Sequence, residues 1–594
     1  MEVREHREEL LKRIPALRIS FLTLLVAIGA AYWFVQVIRG EYYRELAENN
    51  RLRRIPVQPI RGLIFDREGR LLVDNVPSYN LRIDRSRSAD VDRSLRFAAE
   101  TLERPLEELA AQLDRQASAP VFTPVLLAES LSLSQVARFS TAALEHPEFE
   151  IDVGHLRLYR HGPMTAHLLG YLGEVTEQDL REGKGDYRPG DLRGKRGIER
   201  AFDGELQGER GQRQVIVDSR GRVRDDFATH PARPGRNLRL ELDLELQQVA
   251  ARYLGERVGA AVALDPRDGA VLVMASSPTY NPNLFARRLD RSEWQRLVEA
   301  PHDPLQNRVI QNTFAPGSVY KVVVAVAGLM DRAVSPSETV YCGGATRIYN
   351  RRFRCWYRAG HGRVNLREAI KRSCDVYFYY LGQKLGITRI AHYSRLFGLG
   401  RETGLDLGGE RAGLVPDLEW SLGVRGSTWY PGETISVAIG QGPLLVTPLQ
   451  VATMMAVVAN GGHLVTPRVL ASSPPAPPRE TGLDPEALAF VDEALWAVVN
   501  EAGTGAAAKV PGFDIAGKTG TAQVFEQKTW LDNEDLPFEK RDHAWFAAYG
   551  PGDDPTLVVV VLVQHGGEGS RQAAPLARMI YEKYFDDRQP VAPS

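Results

Sequence analysis

The N-terminal part of the chain contains one long apolar run. From Ile19 to Ile38, twenty consecutive residues carry no charge. A helix of that length spans roughly 30 Å, the thickness of the hydrocarbon core of a bilayer. A cleaved signal peptide has an apolar core of only about 7–15 residues, so the length favours an uncleaved anchor over a signal peptide or a buried core helix. The pattern predicts a transmembrane helix over 19–39, preceded by a short tail over 1–18.

The charges around this segment do not orient it in a membrane. Five Lys or Arg residues precede it and five follow it closely. The positive-inside rule compares these two sets, and here they are equal. The topology therefore has to be inferred from the function of the rest of the chain.

Residues 40–235 show a mixed α/β pattern with many turns and without a recognisable set of nucleophile and base. The segment from Glu41 to about Arg54 is charged and compatible with a helical stalk. Arg61 to Arg70 is an apolar strand followed by a glycine turn, and Pro231 to Gly235 has the composition of a boundary. We expect a non-catalytic pedestal domain over 40–235.

Residues 236–585 read as one larger domain that begins and ends with strands. Two early apolar runs and three late ones are joined in part by Gly- and Pro-rich hairpin turns at 266–269 and 550–555. More than 230 mostly helical residues separate the two groups. The pattern predicts an α+β fold with a five-stranded antiparallel sheet and helices, followed by a flexible tail over 586–594. The predicted strands are 259–265, 270–276, 514–525, 544–549 and 556–563.

Composition narrows the class of protein. The 594 residues exceed one ordinary domain, and 43% hydrophobic with 25% charged residues is typical of folded globular protein. The formal net charge is −1, without a dominant basic block along the chain as a whole. Nucleic-acid binding needs a concentrated positive surface, so nucleic acid is not expected as a partner.

Ser318 and Lys321 form a candidate nucleophile and base. Ser318 follows Pro316-Gly317 and precedes a strongly apolar helix over 322–330. Positions i and i+3 share a helical face, so Lys321 is expected to reach the Ser318 hydroxyl. A partly desolvated lysine can remove the proton of a serine, and an N–H at a helix start can stabilise an oxyanion. The pair taken singly is also what a helix-capping serine and an exposed lysine would give.

Two further short motifs complete the candidate site. Lys518, Thr519, Gly520 and Thr521 lie in a predicted strand, which can offer a cation, hydroxyls and backbone N–H groups to a substrate. Ser373 and Asp375 lie between the other two motifs, 55 and 57 residues after Ser318. The Ser373 hydroxyl can relay a proton towards a leaving amine. Taken alone, this last pair favours a helix-cap serine and a surface aspartate.

The three cysteines of the chain fall close together. Cys342, Cys355 and Cys374 lie within 33 residues, with His361 among them. Thiolates and imidazole are the ligands of structural zinc, so these four residues are a candidate zinc site. The alternatives are a Cys342–Cys355 disulfide with an unpaired Cys374, or three buried thiols.

The three catalytic motifs together resemble the S-x-x-K, S-x-N and K-T-G set of penicillin-binding proteins and serine β-lactamases, in the same order. The resemblance covers nearly the whole chain after the anchor. Arg61 to Arg70 is similar to the first motif of the monofunctional, class B penicillin-binding proteins, and 194–222 to their second non-catalytic segment. Segments 259–283, 307–321, 400–416 and 440–450 resemble the transpeptidase domain. The middle motif departs from the usual pattern: Asp375 stands where most relatives have asparagine, which favours the elongation-specific branch over the division-specific one.

The resemblance implies both a fold and a function. It implies a penicillin-binding transpeptidase domain on an extended pedestal, held in the periplasm by one helix in the inner membrane, with residues 1–18 as a cytoplasmic tail. Ser318 would cross-link the pentapeptide stems of peptidoglycan without a catalytic cofactor, and would be acylated by β-lactam antibiotics. The backbone N–H groups of Ser318 and Thr521 would form the oxyanion hole, while Lys518 and Thr519 would receive the donor carboxylate. A polytopic membrane glycosyltransferase and an elongation scaffold protein are the implied partners.

Two other functions use the same motifs. In a D,D-carboxypeptidase or β-lactamase, water replaces the acceptor amine, but such hydrolases do not need the anchor and the large pedestal. A non-catalytic β-lactam sensor should carry a cytoplasmic or multi-span module, whereas only about eighteen residues precede the predicted span here.

Overall fold

The computed structural model describes residues 2–44, 52–114, 121, 124–182, 187–188, 190–217, 223–287, 289, 291–524 and 533–586. The predicted tail after residue 586, residues 45–51 of the predicted stalk and the end of the predicted strand at Phe525 lie outside this set. Contacts divide the chain into two compact units. Unit 1 comprises 1–60, 77–154 and 208–235, and unit 2 comprises 61–76, 155–207 and 236–594.

The apolar run near the N-terminus is helical. An α-helix spans Glu2–Trp33 and continues as a π-helical turn over Phe34–Ile38. Within it, the 26 residues Arg13–Ile38 are long and apolar enough to cross a membrane, and their side chains are exposed. An exposed apolar helix of this length fits a single membrane anchor, as the sequence pattern predicts.

Unit 1 is a small α/β structure with its own core. Leu52–Val57, Gly211–Val217 and Val223–His230 form an antiparallel three-stranded sheet. A second part packs residues such as Leu81, Leu95 and Phe139 together. Its elements are the end of the strand Leu71–Ile83, the strand Val125–Ala128, the start of the strand Phe149–Tyr159, and the helices Val91–Leu102, Leu106–Asp114, Leu133–Thr141 and Ala142–Leu144.

The first part of unit 2 is organised around a buried ionic network. The Glu199 carboxylate is fully buried and accepts hydrogen bonds from Nε of Arg61 and Nε of Arg157, each at 2.7 Å. Arg61 also reaches Asp203 at 2.8 Å. Each charged side chain in this network therefore has an oppositely charged partner, which offsets the cost of removing the charge from water. The elements around it are Ile64–Phe65, Leu172–Glu174, Leu192–Gly194, Leu238–Arg239, Ala166–Leu169, Glu177–Arg181, Gly197–Ala201 and Asp203–Gln207.

The centre of unit 2 is a five-stranded antiparallel sheet. Its strands are β1 Gly259–Leu264, β2 Val271–Ser277, β3 Ala516–Ala522, β4 His543–Gly550 and β5 Leu557–Val563. Their order across the sheet is β2-β1-β5-β4-β3, so β3 lies at one edge. Both faces of the sheet are buried, so the strands need apolar residues at successive positions. In β1, for example, Val262 packs in one core and Ala263 in the other.

Helices cover both faces of this sheet. The helices are α1 Leu244–Leu254, α2 Lys321–Met330, α3 Asp375–Leu396, α4 Pro448–Ala459, α5 Pro485–Asn500 and α6 Ala574–Asp586. Helices α2 to α5 share one core with the sheet, and α1 and α6 share the other. Shorter pieces complete the unit: Pro282–Ala286, Arg291–Val298, Gly317–Tyr320, Val340–Cys342, Ala345–Ile348, Arg351–Arg354, Gly362–Val364, Leu366–Lys371, Leu418–Gly423, Pro431–Val437, His463–Leu464, Arg479–Glu480, Ala506–Ala508, Asn533–Asp535, Phe538–Lys540 and Gly569–Gln572.

The predicted α+β class, the five-stranded antiparallel sheet and the two hairpins are confirmed. The strand bounds differ from the predicted runs by one to three residues; β3, for example, begins at Ala516 rather than at 514, whereas β4 extends one residue beyond each end of its predicted run. The division into a pedestal over 40–235 and a transpeptidase domain over 236–585 stays a prediction.

Candidate active site

Ser318 lies in the 3₁₀ turn Gly317–Tyr320, directly before α2. Gly317 has a φ of 54°, in the left-handed region, and a Cβ atom there would lie 2.5 Å from the carbonyl oxygen of Thr521. Only glycine combines that conformation with that close approach. The turn therefore brings Ser318 against the edge strand β3, which carries the last of the three motifs.

Lys321 is fully buried at the start of α2. Its Nζ atom donates to Oδ1 of Asp375 at 2.6 Å, to the carbonyl oxygen of Ser373 at 3.0 Å and to Oγ of Ser373 at 3.2 Å. The expected hydrogen bond to the Ser318 hydroxyl is not among the contacts of the described residues. A carboxylate attracts an ammonium group more strongly than a neutral hydroxyl does, which accounts for the difference.

Ser373 and Asp375 are held by the short turn between the helix Leu366–Lys371 and α3. Ser373 has a φ of 54°, and its N–H donates to the carbonyl oxygen of Ile370. Asp375 is the first residue of α3, where the positive end of the helix dipole favours a carboxylate. Burial nevertheless raises the pKa of Asp375, while the charge of Lys321 opposes that rise.

The motif on β3 is buried as well. Burial and then the charge of Lys321 lower the pKa of Lys518 well below its usual range. The Thr519 hydroxyl lies 2.6 Å from the hydroxyl of Thr504. A Cβ atom at Gly520 would lie within 3.0 Å of Trp545, Val319 and Pro316, so only glycine allows β3 to pack this closely against the turn that carries Ser318.

The structure thus brings the three motifs close together, and it adds residues that the sequence did not single out. The backbone N–H of Trp356 donates to Oδ2 of Asp375 at 2.9 Å. Thr504 contacts Thr519, and the Gln441 side chain donates to the carbonyl oxygen of Thr521 at 3.2 Å. Gln441 belongs to a segment that already resembled the transpeptidase domain, whereas nothing local in the sequence marks Thr504 or Trp356.

The four predicted metal ligands also lie together. The ligand atoms of Cys342, Cys355, His361 and Cys374 all lie within 4.8 Å of one another, and the three cysteines are free, buried thiols. Nδ1 of His361 lies 3.6 Å from Sγ of Cys342 and 3.5 Å from Sγ of Cys355. A tetrahedral zinc ion with its usual bond lengths separates a sulfur and a nitrogen ligand by about 3.6 Å. The donor set and the spacing therefore fit that ion.

The sequence matches known families over most of its length. Residues 56–240 match the penicillin-binding protein dimerisation domain, and residues 259–582 match the penicillin-binding protein transpeptidase domain. The chain belongs to the penicillin-binding protein transpeptidase family. Within that family, the pairing of a dimerisation domain with a single transpeptidase domain is the organisation of the class B proteins.

Individual relatives agree with this assignment. The chain is 35% identical, over 96% of its own length and 92% of the relative's, to the peptidoglycan D,D-transpeptidase MrdA of Haemophilus influenzae. A penicillin-binding protein PBP2 of Helicobacter pylori, solved in complex with MreC, is similar with a TM-score of 0.82 and 27% identity over 90% of this chain and 99% of that one. A component of a peptidoglycan synthase complex that coordinates polymerization and crosslinking matches with a TM-score of 0.73 and 30% identity, over 98% of this chain and 100% of that one.

Proposed function

We propose that this penicillin-binding protein is a peptidoglycan D,D-transpeptidase that works through an acyl-enzyme on Ser318 during cell-wall elongation. The observation that carries the proposal is the set of contacts that joins Lys321 to Ser373 and Asp375, together with the close packing of the turn that carries Ser318 against the edge strand β3. The family and the named D,D-transpeptidase relatives support the same reaction.

In the first step, Ser318 Oγ attacks the carbonyl carbon of the penultimate D-Ala of a pentapeptide stem. The hydroxyl proton passes to Lys321, which acts as an unprotonated amine. Oδ1 of Asp375, 2.6 Å from Nζ of Lys321, positions this base. The amide bond then breaks, and Ser373, in contact with Lys321, passes a proton to the nitrogen of the terminal D-Ala as it leaves.

In the second step, the side-chain amine of a neighbouring stem attacks the ester carbonyl of the acyl-enzyme. A new amide bond forms, the ester bond to Ser318 Oγ breaks, and the amine proton returns to Oγ through Lys321. The backbone N–H groups of Ser318 and Thr521 form the oxyanion hole for both tetrahedral intermediates. Lys518 and Thr519 receive the terminal carboxylate of the donor stem in the first step.

Incubation with uncross-linked glycan strands that carry pentapeptide stems tests this reaction. We expect D-Ala release in step with the appearance of cross-linked dimers, and the loss of both products in Ser318→Ala. Release of D-Ala with tetrapeptide but without dimers would instead identify a carboxypeptidase. Rapid hydrolysis of a bound penicillin would identify a β-lactamase, and slow acylation by penicillin without turnover of strands would identify a sensor.

A structural zinc ion held by Cys342, Cys355, His361 and Cys374 is part of the proposal. Three sulfur atoms and one imidazole nitrogen make a closed tetrahedral set, which leaves no position for a reacting water. The ion would therefore order the segment 342–374 and take no part in the chemistry. Elemental analysis of protein purified without chelator should find about one zinc ion per chain, and Cys374→Ser should lose it together with thermal stability.

The location and the partners follow from the reaction. The stems are outside the cytoplasm, so the catalytic unit belongs in the periplasm, with Met1 to Arg18 on the cytoplasmic side of the inner membrane. The relatives solved with MreC and in a synthase complex support an elongation scaffold and a polytopic membrane glycosyltransferase as partners. A reporter fused after Ser594 that is active only in the cytoplasm would refute this topology.

A further inference from the structure

The segment between Glu338 and Glu368 differs from the rest of the chain in its charge. Residues 339–367 contain seven arginines and no Asp or Glu, whereas the whole chain has a net charge of −1. The last of these arginines, Arg367, is paired with Glu493 and Glu501. The others lie on or beside a short hairpin formed by the strands Ala345–Ile348 and Arg351–Arg354.

The pairing of the hairpin places like charges directly opposite each other. Arg347 faces Arg352 across the two strands, and both side chains are exposed. Like charges at directly opposite positions destabilise an antiparallel pair. On the other face, Ile348 is buried and Phe353 packs against the ring of Tyr379. One face therefore fixes the hairpin to the core, and the other presents positive charge to solvent at a cost in stability.

Exposed aromatic rings accompany these charges. Tyr349 is 57% exposed at the tip of the hairpin, where Tyr349 and Asn350 both have positive φ angles of 46° and 62°. Asn tolerates that conformation, whereas a tyrosine rarely adopts it. Tyr341 is 71% exposed and Trp356 is 52% exposed. Large apolar rings at exposed positions, one of them on a strained backbone, are typical of a binding surface.

The hairpin is attached to the catalytic centre at its base. Trp356, two residues after the second strand, donates its backbone N–H to Oδ2 of Asp375, whose Oδ1 atom lies 2.6 Å from Nζ of Lys321. The indole N–H of Trp356 also donates to the carbonyl oxygen of Arg372. The exposed surface of the segment 341–356, which carries Tyr341, Arg347, Tyr349, Arg352 and Trp356, is thus within two contacts of the base that serves Ser318.

We propose that this surface, the arginine hairpin, docks the acceptor strand of the cross-linking reaction, a glycan that carries carboxylate-bearing peptide stems; this rests on the transpeptidase function proposed above. Charge complementarity selects this occupant: stem carboxylates are anionic, and arginine binds carboxylates with two parallel hydrogen bonds. Aromatic faces stack on the apolar faces of sugar rings. The donor carboxylate has its own partners in Lys518 and Thr519, so a second anionic strand needs a separate set of cations.

The variant Arg347→Gln/Arg352→Gln tests the proposal in the full-length enzyme. The probes are uncross-linked glycan strands with pentapeptide stems and, separately, a fluorescent penicillin, which needs no acceptor. The KM for strands should rise roughly three- to tenfold with little change in kcat, while the rate of acylation by penicillin stays at the wild-type value. Thermal stability should stay the same or rise, because the repulsion between the two arginines is removed.

The matched control is Arg571→Gln/Arg578→Gln, which removes two exposed charges paired with Glu568 and Glu582. This variant should behave as wild type in every assay. A KM for strands in the hairpin variant equal to that of the control would overturn the proposal. So would loss of binding to vesicles of phosphatidylethanolamine and phosphatidylglycerol with unchanged cross-linking, because the surface would then face a membrane. Failure of the transpeptidase assignment itself would appear differently, as wild-type enzyme that does not cross-link strands.

Discussion

The side-chain nitrogen of Lys321 lies 2.6 Å from Oδ1 of Asp375, in the interior of unit 2. The other carboxylate oxygen of Asp375 accepts the backbone N–H of Trp356. Asp375 therefore joins the base to the segment that carries the cysteine–histidine cluster. An asparagine amide here would offer one acceptor oxygen and one NH2 group that cannot accept, in place of two acceptor oxygens.

We expect Asp375→Asn to slow acylation by a fluorescent penicillin by roughly tenfold or more, because the buried lysine loses a charged partner. Asp375→Ala should slow it further. The control is Asp331→Asn, which removes a carboxylate that bonds Tyr393 at the other end of α2. An Asp375→Asn enzyme that is acylated as fast as the control would show that the contact does not position Lys321.

The cysteine–histidine cluster should influence acylation from a distance. Cys355 and Cys374 immediately precede Trp356 and Asp375, so both chain segments that hold the carboxylate begin in the cluster. His361→Ala should lower the melting temperature and slow acylation without altering any catalytic group. His392→Ala, on the exposed side of α3, is the control. If His361→Ala lost zinc but was acylated at the wild-type rate, the cysteine–histidine cluster would not influence acylation, contrary to this prediction.

The buried position of Lys518 predicts a pH dependence. Burial and the charge of Lys321 lower the pKa of Lys518, so this ammonium loses its proton at a lower pH than an exposed lysine does. Binding of the donor carboxylate should therefore weaken as pH rises. This weakening should begin below about pH 10.4, the usual pKa of a lysine side chain. In Lys518→Arg the alkaline limb of the kcat/KM profile should move to higher pH. An identical limb in both enzymes would contradict the assigned role of Lys518.

The ionic network of unit 2 should be a large contributor to its stability. Burial alone would raise the pKa of Glu199, but the positive charges of Arg61 and Arg157 have the larger effect and lower it. The network therefore stabilises the fold fully at pH values above the ordinary pKa of glutamate. This stabilisation is lost as the pH falls through the lowered pKa of Glu199 in the folded protein. Glu199→Gln should reduce the free energy of unfolding at neutral pH by about 3 kcal/mol. Glu177→Gln, at an exposed pair, should change it by less than about 0.5 kcal/mol, and equal losses in urea unfolding would contradict the prediction.

Much of the fold was predictable because its elements are strongly patterned. The strands β1 and β5 are continuous apolar runs bounded by glycine and proline turns, and buried strands leave that signature. The catalytic motifs were recognisable because the chemistry needs particular residues at fixed spacing. The cysteine cluster was recognisable because its ligands are few and close in sequence.

Other features depend on contacts between distant segments and could not be predicted. The predicted contact of Lys321 with Ser318 did not take Asp375 into account. This buried carboxylate lies 54 residues further along the chain and attracts the lysine more strongly than a hydroxyl does. Thr504 and Thr519 meet because α5 packs against β3, which no local pattern indicates. The pairing of Arg347 with Arg352 depends on the register of the hairpin, which the two left-handed residues at its tip determine.

The site and mass of the penicillin adduct identify the nucleophile directly. Full-length protein incubated with a penicillin should gain the mass of one intact penicillin per chain, and peptide mapping should locate the adduct on Ser318. Ser318→Ala should gain no mass while keeping the melting temperature of the wild type. An adduct on any other residue, or an undiminished adduct in Ser318→Ala, would contradict the central claim that Ser318 is the nucleophile.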